Sequence, residues 1–266
     1  MPNLGVLLSA VILALILIPP AAASANAPPE SHVVEASNGR FHAVAPDGRT
    51  LRGADLKGTT FLIEVRRGQS VFVRIDDVEV APENGVALYV LSHRSKDADD
   101  WVPVCGPDQY GKRRGLPLPM RVLPGSATSD DRSFTLACTS GAYGKCIMRG
   151  YLPWAQSTTG TVLTPYFQAC ARMMMADYCG DGTSFTTEGR RIDSWDKIGR
   201  RAPTGTGLIE AAWNAAGPVC VTRARADTIH PLESVLAQCP NLRSKVIPDC
   251  EEFASDDANG ALIWNR

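Results

Sequence analysis

The chain has 266 residues and a formal net charge of −1, from 27 basic and 28 acidic side chains. That near-balance removes any whole-chain electrostatic case for nucleic acid or an anionic membrane as partner. At 44% hydrophobic, the chain can bury a sizeable core, in one large domain or two small ones.

Residues 1–25 read as a signal peptide. An apolar run over residues 4–18 leads to Pro19-Pro20, and Ala23-Ser24-Ala25 has the small-x-small form of a signal peptidase site. The terminal amine is the only positive charge ahead of the run, so an uncleaved anchor is the alternative. About fifteen apolar residues is short for a span, however. No cysteine near the cleavage site points to a lipoprotein. The expected product is exported, periplasmic or secreted, with no stable membrane span after cleavage.

Residues 26–37 are rich in Pro, Ala and Ser and read as a linker. Residues 40–44 precede Pro46-Asp47-Gly48, a turn signal. Strand candidates at 60–65 and 71–75, joined by a turn at 66–69, resemble a hairpin. Glu83-Asn84-Gly85 separates 77–80 from 86–92 in the same way. No helical pattern and no cysteine occur in this half. A compositional boundary near residues 97–100 therefore divides a β-rich segment, residues 26–100, from a cysteine-rich part, residues 101–266. The first segment is either a separate domain or a source of strands for one shared core.

Residues 103–130 read as a long Pro/Gly/Arg-rich loop tethered by Cys105. Residues 134–138 and 146–149 look like two strands around 140–145, closed by Tyr151-Leu152-Pro153-Trp154. A helix is expected over about 164–178. Thr164 is its N-cap, Pro165 lies in the first turn, and Phe167, Cys170, Ala171, Met174 and Tyr178 recur at helical spacing. The periodicity stops at Cys179-Gly180, in a glycine-rich turn carrying Asp177, Asp181 and Glu188. Beyond it, residues 208–213 and 219–223 read as strands about a turn at 214–218. Residues 231–238 read as a short helix, 239–250 as a Pro-containing loop and 261–264 as a final strand.

There are eight cysteines, Cys105, Cys138, Cys146, Cys170, Cys179, Cys220, Cys239 and Cys250, and none forms a CxxC pair. An even count in an exported chain points to disulfides rather than zinc or a redox site. On an unbroken helix, Cys170 and Cys179 lie about 13 Å apart at roughly 1.5 Å rise per residue. That exceeds the ~7 Å bridging limit, so each should pair elsewhere and staple the helix to the body, contributing about 2–4 kcal/mol per bridge. The expected fold is α+β and β-dominated, with short antiparallel strands and hairpins, one main helix and disulfide staples.

Ala176-Asp177-Tyr178-Cys179 is flanked by Ala169-Cys170-Ala171-Arg172-Met173 and Gly180-Asp181-Gly182. Together they resemble the signature of the ADYC domain of exported bacterial proteins. Cys146 with Gly150-Tyr151-Leu152-Pro153-Trp154 is similar too, as are Ile192-Asp193 and Ala211-Ala212-Trp213 leading to Gly217-Pro218-Val219-Cys220. The resemblance covers roughly residues 100–266. It implies an exported cysteine-rich domain of unknown function and supplies no catalytic residues.

The sharpest chemical candidate is a calcium site in the acidic turn. From Asp177 to Glu188 the loop is twelve residues long, with Asp181 at position 5, glycine at position 6 and Glu188 at position 12, which are EF-hand positions. Cys179 at position 3, Ser184 at position 8 and Gly189 after the loop oppose it. The alternative is that Asp177 and Asp181 brace a tight turn through backbone hydrogen bonds, with Gly180 and Gly182 supplying positive φ. That alternative is favoured. Ser194 to Lys197 has S-x-x-K spacing without a following K-T-G. Residues 106–112 have P-loop spacing but lack the magnesium-binding hydroxyl. No G-x-S-x-G occurs, and the histidines are His32, His42, His93 and His230. Lys112-Arg113-Arg114 and Arg190-Arg191 are short enough to be solvated surface turns. Tyr151, Trp154, Tyr178 and Trp195 line either a ligand groove or the core. The leading expectation is a non-enzymatic binding or structural module for an envelope or extracellular component. The alternative is a hydrolase or calcium-dependent module using the acidic turn, with Asp177, Asp181 and Glu188 as its carboxylates; Tyr178 completes the candidate motif site.

Overall fold

A two-residue turn sets the first hairpin. Asn38 and Gly39 both have positive φ, 48° and 73°, the conformation that matches the twist of tightly joined strands. They connect β1 (Val33–Ser37) to β2 (Arg40–Val44), and β3 (Thr50–Arg52) completes a three-stranded antiparallel sheet. The computed structural model describes residues 33–45, 47–65, 69–95, 98–125, 133–251 and 259–266. Residues 1–25, expected as a signal peptide, most of the 66–69 turn and Pro46 lie outside the described residues. The linker expected over 26–37 is corrected at its end. Val34 and Ala36 alternate inward and pair with Ala43 and Phe41, a signal too short and too alanine-rich to stand out in sequence.

The second sheet has six strands: β4 (Thr60–Val65), β5 (Gln69–Val80), β6 (Ala87–Ser95), β7 (Val102–Pro103), β8 (Arg114–Pro119) and β9 (Phe134–Cys138). Its order is β4-β5-β6-β8-β9, with β7 also on β6, so it draws strands from both sides of residues 97–100. The strands expected separately at 71–75 and 77–80 are one strand, with a register shift between Ile75 and Asp77. Asp76 sits at that bulge and accepts from Arg74 Nε at 2.5 Å and from the Ser92 hydroxyl. β8 runs through the expected 103–130 loop, which is a second correction. It ladders with β6 only at Gly115 and Arg114, so Pro117 and Pro119 fall where no β6 partner asks for an N–H. Phe41 joins the two sheets, its ring 5.4 Å from Phe61, 4.9 Å from Tyr89 and 5.5 Å from Phe134.

Residues 146–148 belong to a helix rather than a strand, with Arg149 its C-cap. α1 (Ala142–Met148) starts so close to β9 that a Cβ on Gly144 meets the Cys138 carbonyl oxygen at 2.1 Å. The glycine that permits this approach also lowers the helical signal by about 1 kcal/mol. α2 (Thr164–Met175) is the central helix, with Phe167, Ala169, Cys170, Ala171 and Met173 fully buried. It is shorter than expected, ending where Ala176 turns left-handed at φ 51°. Thr164 does not cap it; its hydroxyl donates to the Pro153 carbonyl at 2.6 Å.

β10 (Ser194–Asp196), β11 (Ala211–Asn214), β12 (Gly217–Val221) and, last in the chain, β13 (Ile263–Asn265) form a sheet ordered β10-β13-β11-β12. α2 packs across β11, β12 and β13. Between β12 and β13 lie α3 (Leu232–Gln238) and a 3-10 helix, Pro240–Lys245, where a loop was expected. The final strand starts two residues later than read and ends one later.

All eight cysteines are bridged: Cys105–Cys138, Cys146–Cys170, Cys179–Cys239 and Cys220–Cys250. Cys170 ties α2 to α1, and Cys179 ties the following turn to the end of α3. Both pair elsewhere as expected, although the helix stops short of Cys179. Among the described residues, no helix is long and apolar enough to cross a membrane.

Candidate functional site

The acidic turn is built inward. Ala176, fully buried at positive φ, reverses the chain, and its N–H bonds the Met173 carbonyl. Asp177 then enters the interior at 0% exposure. Its Oδ1 accepts the N–H groups of Gly180 at 2.9 Å and Asp181 at 3.1 Å. Its Oδ2 accepts Gly182 N–H at 2.9 Å and Arg172 Nη1 at 2.5 Å. Arg172, also buried, donates its Nε to the Ala215 carbonyl at 2.7 Å. A buried ion pair holds only when its remaining donors and acceptors are filled, and here they are. Gly180 has φ 75°, and a Cβ there comes within 2.7 Å of the Ala216 carbonyl oxygen. Only glycine fits the junction between turn and sheet.

Tyr178 extends the same lock. Its hydroxyl donates to Glu210 Oε1 at 3.0 Å and accepts the Arg225 N–H at 2.8 Å. Its ring stacks on Trp213 at 5.5 Å. Glu210 receives Arg225 Nε and Nη2 at 2.9–3.1 Å, and Arg225 Nη1 reaches the Met174 carbonyl at 3.2 Å. Burial, then the Glu210 charge, pushes the Tyr178 phenol well above its ordinary range. Cys179 adds the bridge to Cys239. The four residues of the motif thus reverse the helix end, fill an anion nest, cross to β11 and crosslink to α3.

The four expected site residues do not converge. Asp177 and Tyr178 face the interior. Asp181 is exposed and accepts Thr183 N–H at 2.8 Å, and its hydrogen bonds from Thr183 hold its carboxyl below the usual value. Glu188 lies on a separate cleft. Among the described residues, no group of three or more His, Cys, Asp or Glu side chains is placed to hold a metal. Ser194 and Lys197 sit on or beside strand β10, where i,i+3 positions face opposite sides. The Ser194 hydroxyl is engaged by Arg149 at 2.7 Å. Of the two readings of the aromatics, groove or core, the structure places Tyr151 and Tyr178 in the core. Trp154 packs on Gly39, and Trp195 stacks on Trp264 at 6.4 Å.

A cleft lies between α1 and the segments on either side of β10. Its volume is 790 Å³, within the range of about 300–1,000 Å³ typical of ligand sites. A second hollow of 420 Å³ shares Asp108, Gln109, Lys145, Arg149 and Arg201 with it. Lys145 comes from α1 and Arg149 from its C-cap. Arg190 and Arg191 are exposed, as expected, and line the cleft; Arg201 follows β10. None of these cations has a carboxylate partner among the described residues. Three acids line the cleft, and two of them are already occupied; the third, Glu188, is exposed. Asp108 accepts Arg114 Nη2 at 3.0 Å, Thr139 Oγ1 at 2.9 Å and two backbone N–H groups. Asp193 accepts Thr204 and Gly205 N–H at 2.8–3.2 Å, with Arg266 3.8 Å away. Burial, followed by the neighbouring charge of Arg201, pushes the Arg149 guanidinium down to about 10.

Fold and site together define a disulfide-stabilised, β-dominated domain in which one helix ends in a buried acidic lock. The ADYC domain family model matches residues 53–227, and the chain belongs to that family. The match begins before β4 and ends after β12, so it takes in strands on both sides of residues 97–100. No curated protein and no solved structure matches the chain.

Proposed function

We propose that the chain is an exported, non-enzymatic binding module whose ligand is an anionic component of the envelope or its surroundings. The observation that carries this reading is the cleft with Lys145, Arg149, Arg190, Arg191 and Arg201 on its wall, against three carboxylates, of which Asp108 and Asp193 are committed to other donors and Glu188 alone is left to offset the cations. Excess positive charge in a low-dielectric depression raises the local concentration of anions. Four disulfides and the signal-like first 25 residues favour an oxidising compartment.

Thermal melts of the mature protein with small organic anions, beside neutral and cationic compounds of the same size, test the reading. An upward shift with at least one anion, lost in a Lys145→Gln/Arg201→Gln double variant, supports it. No shift with any anion, or an equal shift with neutral compounds, overturns it. Recovery of a chemically altered ligand after incubation overturns the non-enzymatic part.

A further inference from the structure

We infer that the cleft selects a phosphoryl group borne on an organic body, with Arg149 as the fixed donor and Lys145 and Arg201 as its partners. This rests on the anion-binding reading above and names the ligand's chemical class.

Three observations carry it. First, the guanidinium of Arg149 is held from behind: its Nη1 donates to the buried Ser194 hydroxyl at 2.7 Å. A guanidinium fixed along one edge still offers planar donors that match the paired oxygens of an oxyanion. Second, the charge is concentrated. Lys145, Arg149 and Arg201 line both adjoining hollows, and none has a carboxylate among the described residues. A carboxylate brings one negative charge and a sulfate ester one. A phosphomonoester brings about −1.5 to −2 at pH 7, on three strong acceptor oxygens. Third, the cleft exceeds what a bare ion needs. Met174 and Ile192 add apolar wall to its 790 Å³, which suits an attached organic part.

Calorimetric titration of the mature protein with phenyl phosphate, phenyl sulfate and benzoate holds the body constant and changes only the charged group. Phenyl phosphate is expected to bind at least tenfold tighter than the other two. Arg149→Gln and Arg201→Gln should each weaken it at least tenfold, while Arg243→Gln, on the distant 3-10 helix, leaves it unchanged. Vesicles containing phosphatidic acid, beside inorganic phosphate, distinguish a lipid headgroup from a soluble source of the same chemistry. Equal affinity for benzoate or phenyl sulfate overturns the phosphoryl assignment and leaves anion binding standing. No binding of any of the three overturns both. If Arg149→Gln does not fold, Arg201→Gln alone decides the point.

Discussion

Arg149 offers a test in which removing a charged side chain should strengthen the fold. A guanidinium held at about 10 instead of 12.5 is disfavoured by its surroundings by on the order of 3 kcal/mol, at 1.36 kcal/mol per tenfold. The cause is burial first and the charge of Arg201 second, with no carboxylate to offset either. Arg149→Met keeps the length and flexibility of the side chain and deletes the charge. The lost hydrogen bond to Ser194 Oγ takes back about 1–2 kcal/mol, because that hydroxyl is buried. The net expectation is a gain of roughly 1–2 kcal/mol, from the same two terms. Urea unfolding in a buffer free of phosphate and other multivalent anions measures it, through a higher midpoint at unchanged slope. Most substitutions destabilise by about 1 kcal/mol, so an ordinary result has the opposite sign. A lower midpoint shows that Arg149 is compensated within the fold, and the cleft then loses its reason to attract an anion.

The acidic lock makes opposite demands. Asp177→Asn strands the buried Arg172 and should cost about 3–5 kcal/mol, whereas Asp181→Ala, at an exposed turn, should cost under about 1 kcal/mol; thermal melts compare them. Calcium in excess should leave the wild-type melt unmoved, because the Asp177 oxygens already accept four donors. Tyr178→Phe leaves the Arg225 N–H without its acceptor and should cost about 1–3 kcal/mol in urea unfolding. Burial alone raises the Asp108 carboxyl, but hydrogen bonds from Arg114, Thr139 and the N–H groups of Tyr110 and Lys112 hold it below its ordinary value. Its stabilisation is therefore present above about pH 4, the unfolded value, and is lost as pH falls through the lower folded one. A stability-against-pH series should show Asp108→Asn with a flatter acid limb.

Elements were legible where local pattern and tertiary role agree. Residues 60–65, a strand candidate bounded by a turn, form β4 with those same bounds. Residues 40–44, set off by the turn signal after them, form β2. They were illegible where one residue serves a neighbour outside its own element. Gly144 is required by the Cys138 carbonyl and hides α1. Pro117 and Pro119 read as loop residues, yet the unladdered side of β8 accommodates them. The acidic turn was visible as a brace rather than a ligand set, but its partners were not. Glu210 lies 32 residues from Tyr178 and Arg225 lies 47, and neither stands in a recognisable pattern. The cleft was hidden for a similar reason. Its cations come from α1, its C-cap, the segment before β10 and the loop after it, and each group is too short to register as a basic patch.

This separation bears on what family membership can mean. Every residue of the Ala176–Cys179 motif is spent on geometry: chain reversal, the anion nest, the bridge to β11 and the disulfide to α3. None lines the 790 Å³ cleft. A change at Asp177, Tyr178 or Cys179 strands a buried charge, a buried donor or a sulfur, and a larger residue at Ala176 has no room at its buried, left-handed position. A motif of that kind therefore marks how a domain closes its core. It transmits the scaffold without transmitting the ligand. The lock does set the place of the cleft. α2 leads directly into the nest and contributes Met174 to the cleft wall, while the same turn leads on to Arg190 and Arg191. Loosening the nest by Asp177→Asn should therefore weaken ligand binding as well as stability. Arg201→Gln should weaken binding alone. A variant series in which both losses track stability places the ligand somewhere other than the cleft.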